Sequence, residues 1–182
     1  MATEIEASSR SNKAVYQDEI VRSAPARYAL AAGRFVIGWI FFWAFIDKLF
    51  GLGYSTAPEN AWLNGGSPAQ GYIAGMEGPF ADFFQSAFQN PFGDWLFMLG
   101  LAGIGIAMIL GAGLKIAAVT GTVLMAFMWM SQLPFVLGGT NLITTSHWVE
   151  ALLLIIAATT LAGDTAGVGK WWGSKVGNTW LR

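Results

Sequence analysis

From Trp95 to Gly163 the chain carries only two formal charges, Lys115 and Glu150, and this constrains the fold more than any other feature. So long a run of apolar and neutral-polar residues is too much for the buried helices of one small soluble domain. At about 20 residues per membrane crossing, it holds several spans. The whole chain agrees: 182 residues, 54% hydrophobic and 12% charged, against about a quarter charged in an ordinary soluble domain.

Four apolar segments can be marked out, over residues 28–46, 95–114, 116–137 and 147–163. The expected fold is an all-α membrane protein, an antiparallel bundle of four transmembrane helices forming a membrane domain over 28–163. Lys115 sits in a very short turn, so the second and third spans form a hairpin. Counting Lys and Arg in the flanks sets the orientation. With both termini cytoplasmic, Arg10, Lys13, Arg22, Arg27, Lys115, Lys170, Lys175 and Arg182 lie inside and Lys48 outside. The expected location is the cell membrane, plasma or inner, crossed several times.

Residues 1–27 are polar and mixed in charge, without the apolar core of a signal peptide. They read as a cytoplasmic tail, partly disordered, with a short surface helix through "AVYQDEIV" as the alternative. Residues 164–182 form a second cytoplasmic tail, rich in glycine and tryptophan. The outer segment, 47–93, is more than a loop. In "GPFADFFQSAFQNPF" the side chains of Phe80, Phe83, Phe84 and Phe88 share one helical face. That pattern predicts an amphipathic interfacial helix pressed against the bilayer edge or the bundle mouth. Gly103, Ala107 and Gly111, and Ala117 and Gly121, recur every four residues as expected helix–helix seams.

The chemistry available is narrow. There is no cysteine, which removes disulfides, iron–sulfur clusters and thiol relays. One histidine cannot supply a bis-histidine haem, and no intrinsic metal site is expected. Nothing points to nucleic acid. Ionisable groups within or beside spans are functional candidates by default: Arg34, Asp47, Lys48, and the pair His147 and Glu150, which share a helical face at i, i+3. Arg34 and Lys48 share a face about 21 Å apart. His147 and Glu150 suit hydrogen bonding and proton transfer at a quinone headgroup. The alternative is a polar rim at the interface, with Glu150 favoured by the helix dipole. With Gln132 on the third span and Phe84 on the phenyl face, these residues define a candidate polar pocket near the outer face: Arg34, Lys48, Gln132, His147 and Phe84 to hold a ligand, and His147, Glu150, Asp47 and Lys48 as groups that could act on it.

The stretch "GRFVIGWIFFWAFIDKLFGLGY" resembles the first-span signature of the DoxX family, with an early arginine, a small-residue kink and an Asp-Lys-Leu ending. "AWLNGGSPAQGYI" is similar to the outer segment of its thiosulfate:quinone oxidoreductase branch, and "LAGDTAGVGKWW" to the turn after its fourth span. The resemblance covers most of residues 28–172. It implies a four-span bundle with cytoplasmic termini, places the family's early arginine at Arg34 and its lysine at Lys48, and implies membrane redox chemistry with quinone as cofactor and other subunits of a membrane redox complex as partners. The expected function is an integral membrane subunit or accessory protein of a quinone-linked oxidoreductase system. The alternative is a non-enzymatic structural subunit docked on a larger membrane complex. Small-solute transport has less support, because four spans show no inverted repeat with broken helices.

Overall fold

The computed structural model describes residues 14–138 and 141–182, and among these all regular structure is helical. A short helix, α1 (Gln17–Ile20), precedes the first long one, α2 (Ala24–Phe50). Two 3-10 turns (Pro58–Asn60 and Trp62–Asn64) lead to α3 (Pro68–Ala74) and α4 (Ala81–Phe88). Then come α5 (Pro91–Leu110), α6 (Leu114–Gln132), the single turn α7 (Pro134–Leu137) and α8 (Ser146–Thr159). A 3-10 turn (Ala162–Asp164) and α9 (Gly169–Val176) close the chain.

Three of these, α2, α5 and α6, are long and apolar enough to cross a membrane. At 1.5 Å per residue they measure about 40, 30 and 28 Å, against a hydrocarbon core of about 30 Å. α8 is a shorter apolar helix of 14 residues, about 21 Å long, so the fourth segment is less extended than 147–163. Large side chains such as Phe35, Trp39, Leu99, Val119, Val149 and Leu152 are exposed on the helix flanks, a surface that suits lipid and not water. Exposed aromatics gather at both ends: Tyr28, Trp171 and Trp180 at one, Tyr54, Trp95 and Trp148 at the other. This is the pattern of interfacial belts.

Local chemistry moves the expected boundaries. α2 begins four residues before Tyr28, since the Ser23 side chain caps Ala26 N and Pro25 fits the first turn. It runs past Asp47 and Lys48 to Gly51, whose left-handed φ of 65° ends it. α5 likewise starts early, where Asn90 accepts from Gly93 N ahead of the proline, and stops at left-handed Gly111. α6 breaks at Leu133 before Pro134, which cannot continue the hydrogen-bond ladder.

The helices associate in pairs. α2 lies along α5, and α6 along α8, while consecutive α5 and α6 touch less. The core they share includes Ile37, Phe41, Ile104, Met108, Met125 and Leu154. The seams also run through glycines that the spacing did not mark. A Cβ on Gly105 would lie 2.7 Å from Phe42 N, and one on Gly38 2.8 Å from Met108 Cβ. At Gly121 it would meet Leu154 of α8 at 2.4 Å, so that expected seam exists. Gly103 is different, because a Cβ there meets nothing within 4 Å.

At one end of the bundle, here the hairpin end, the C-terminal residues meet the α5–α6 turn, and the N-terminal described residues meet those C-terminal ones. Leu114 N donates to Arg182 O at 3.0 Å, and Lys115 Nζ to Thr179 O at 3.0 Å. Asp164 is buried, accepts from Gln17 N at 2.9 Å and pairs with Arg182 at 2.9 Å. The segments read as tails are therefore ordered where they are described. Residues 1–13, with Arg10 and Lys13, lie outside the described residues.

Candidate functional site

A cleft of about 1300 Å³ opens between α5 and α6, where the two helix pairs diverge. Its long walls are apolar, with Phe97, Leu101 and Ile104 from α5 and Ile116, Val123 and Phe127 from α6. Thr120 also lines it, but its hydroxyl donates to Ile116 O at 2.9 Å. The other polar side chains of the lining are confined to the far end, away from the hairpin. Lys48, Ser55, Tyr72, Ser131, His147 and Glu150 all face it there.

That end carries a roof made by the segment between α2 and α5. The roof is fixed to the α5 wall by Asp94, whose buried carboxylate accepts from Ala69 N at 2.8 Å, Gln70 N at 3.2 Å and the Gln70 side-chain amide. Ala69 N and Gln70 N are backbone donors of the first turn of α3, which have no carbonyl partner within their own helix. On the α6 wall, Tyr72 and Ser131 share a hydrogen bond of 2.7 Å. Ser131 donates its own proton to Met128 O, so Tyr72 is the donor to Ser131. Phe84 and Phe88 of α4 pack on Phe127 at centroid distances of 5.4 and 5.9 Å. Of the two placements expected for the phenyl face, Phe84 takes the bundle mouth and is buried there, while Phe83 is half exposed.

The expected site residues divide. Lys48, His147, Glu150 and Phe84 line the cleft. The Lys48 ammonium donates to Ser55 Oγ at 3.1 Å. His147 Nδ1 pairs with Thr145 Oγ1 at 2.9 Å, which leaves Nε2 as the nitrogen open to a ligand. Among the described residues no hydrogen bond or ion pair holds the Glu150 carboxylate.

Three others lie elsewhere. Asp47 is buried beside the cleft and serves the loop, accepting from Tyr54 N at 3.2 Å, Ser55 N at 3.0 Å and Ser55 Oγ at 2.7 Å. Gln132 is exposed at the end of α6, and its neighbour Ser131 supplies the polar group at the wall. Arg34 sits at the hairpin end with 1% of its surface exposed. Its guanidinium donates to Met108 O, to Ile109 O at 2.8 Å and to Ala166 O at 2.8 Å.

The place of Arg34 follows from how α5 ends. The last four carbonyls of a helix lack intrahelical donors. Here Ala107 O receives Gly111 N and Ala112 N, and Leu110 O receives Val168 N at 2.8 Å. Met108 O and Ile109 O are left for Arg34, whose planar fork reaches both and a third carbonyl in the closing turn. Arginine suits such a position because it stays charged under burial.

Reading the residues alone missed Asp94 and Tyr72. Asp94 adjoins the charge-poor stretch, but its partners lie 24 and 25 positions away, so no spacing rule reveals them. Among the described residues no three His, Asp or Glu side chains converge as a metal site. No known protein family, curated protein or solved structure matches the chain.

Proposed function

We propose that the chain is an integral membrane subunit or accessory protein of a quinone-linked oxidoreductase system in the cell membrane, a four-span bundle with both termini cytoplasmic. Its resemblance to the thiosulfate:quinone branch of the DoxX family agrees with that reading, and so does the positive charge gathered at the hairpin end. The single observation that carries it is the polarity of the cleft: apolar walls through most of its length, with Lys48, His147 and Glu150 together at one end. A small polar head on a long apolar body fits that division, since binding sites for such ligands are mainly apolar with a few placed polar groups.

Gly100 and Gly103 support the same reading. Both leave the cleft open where any side chain would fill it. A bound quinone would supply a carrier for two electrons and two protons. The chain's own groups do the rest. Lys48 Nζ and His147 Nε2 are donors for a carbonyl oxygen, and Glu150, without a partner among the described residues, is a base or proton conduit beside them. With no cysteine or haem pair, electrons come from a partner subunit, and this chain positions the head and moves protons.

The test is to purify the protein in mild detergent, extract bound lipids and quantify quinone by chromatography against protein. The expected result is near-stoichiometric quinone in the parent and at least a tenfold loss in His147→Ala and Glu150→Ala. Absence of quinone, with host-complex activity unchanged in both variants, refutes the reading. A stoichiometric partner protein, with host-complex activity insensitive to the pocket substitutions but lost on substitutions at the interface, would mark the chain as a structural subunit instead.

A further inference from the structure

We propose that the cleft between α5 and α6 is a lateral site for an amphiphile with a single long isoprenoid chain, loaded from the bilayer and not from water. The inference rests on the reading above and deepens it by naming the tail and its route.

Three observations carry it. The first is length. The lining residues of α6 run from Ile116 to Ser131, about 22 Å along the axis. One leaflet of a bilayer is about 15 Å deep, half of a hydrocarbon core of about 30 Å. A tail fixed by its head at the polar end therefore runs past the midplane, where the acyl chain of an ordinary phospholipid stops.

The second is the roof. It is pinned to both walls, by Asp94 on α5 and by Tyr72–Ser131 and the Phe84, Phe88 and Phe127 cluster on α6. A ligand coming from water would have to break these contacts, and a diacyl lipid, whose headgroup stays in water, is excluded by the same roof.

The third is the open flank. Gly100 and Gly103 lie one turn apart on α5, and at both a Cβ would meet nothing within 4 Å. Elsewhere the glycines of these helices are used for contact, as Gly105 is against Phe42 and Gly121 against Leu154. The two open positions lie instead in the lining of the cleft. Its chemistry sorts the ligand accordingly, with tail along the glycines and head at Lys48 and His147.

The geometry also supplies the test, because Gly103→Leu adds a side chain into space the fold leaves empty. The full chain is reconstituted in lipid nanodiscs and titrated with a benzoquinone bearing a ten-isoprene tail and with the same headgroup without a tail. A photoreactive polyprenyl phosphate is run in parallel. Gly103→Leu is expected to weaken the tailed quinone at least tenfold and the tail-less head less than twofold, at unchanged Tm. Equal affinity of parent and variant for the tailed quinone overturns the lateral site while leaving the quinone reading intact. If the parent binds neither quinone but the polyprenyl probe labels cleft residues, and Gly103→Leu abolishes that labelling, the lateral site stands and the redox reading falls. No labelling and no quinone binding overturns both. A large loss of Tm in Gly103→Leu, repeated in Gly100→Leu, contradicts the open space on which the inference depends.

Discussion

Replacing Arg34 by methionine keeps the unbranched stem of the side chain out to the position of Nε and removes the fork beyond it. Three carbonyls, Met108 O, Ile109 O and Ala166 O, then lose their donor inside the protein. A buried acceptor left without a partner costs about 1–3 kcal/mol, so the gross loss is roughly 3–9 kcal/mol. Two effects offset part of it. A buried guanidinium is itself expensive, and its Nε has no partner among the described residues. The hairpin end also lies near one edge of the bundle, where water can reach a loosened turn. The net expectation is about 3–5 kcal/mol. At about 2–4 °C per kcal/mol for a chain of this size, Tm in detergent should fall by roughly 10 °C. Arg34→Lys should fall between parent and methionine variant, because one ammonium cannot reproduce a fork that spans three acceptors. The assay is thermal unfolding followed by circular dichroism or size-exclusion fluorescence, with quinone content measured on the same samples. A methionine variant within 2 °C of the parent would refute the capping account. Loss of quinone at unchanged Tm would refute it differently, by moving Arg34 into the ligand site.

Two further outcomes follow from the packing. Gly105→Ala forces a methyl to within 2.7 Å of Phe42 N, and overpacking of this kind costs about 1–3 kcal/mol, so Tm should drop where Gly103→Ala leaves it unchanged; equal effects would show that α2 and α5 do not meet there. Asp94→Ala removes the cap of α3 and should raise hydrogen exchange over residues 68–76, at a cost of about 0.5–2 kcal/mol, without altering exchange in α6; unchanged exchange at Ala69 and Gln70 would show the roof to be held otherwise.

The long helices were legible because lipid imposes a composition that no soluble context tolerates, and a charge-poor stretch advertises it. Their ends were less so. Asp47 and Lys48 looked like the end of the first span, yet α2 carries both, since Asp47 turns its charge to the backbone of Tyr54 and Ser55. α8 stops at Thr159 although its apolar pattern continues to Gly163. Among the site candidates, Lys48, His147 and Glu150 line one end of the cleft because the C-terminus of α2 and the N-terminus of α8 lie at the same end of the bundle. Arg34 could not be separated from them by sequence, as an intramembrane arginine looks alike whether it meets a ligand or a helix end. Gly103 and Gly105 show the same limit: both belong to one glycine-rich run, and only the partner helix decides which is contact and which is space.

The clasp at the hairpin end also bears on the order in which the molecule assembles. Gln17 N to Asp164, Val15 N to Asn178 and Arg182 to Val15 O join positions 147, 163 and 167 apart, nearly the whole length of the chain. Contacts of such sequence separation require the largest loop to close and form late. The pairing of α2 with α5, and of α6 with α8, uses none of these contacts. The clasp is thus a final step, absent from the transition state for bundle formation, and weakening it should speed opening while leaving insertion and pairing at their original rate.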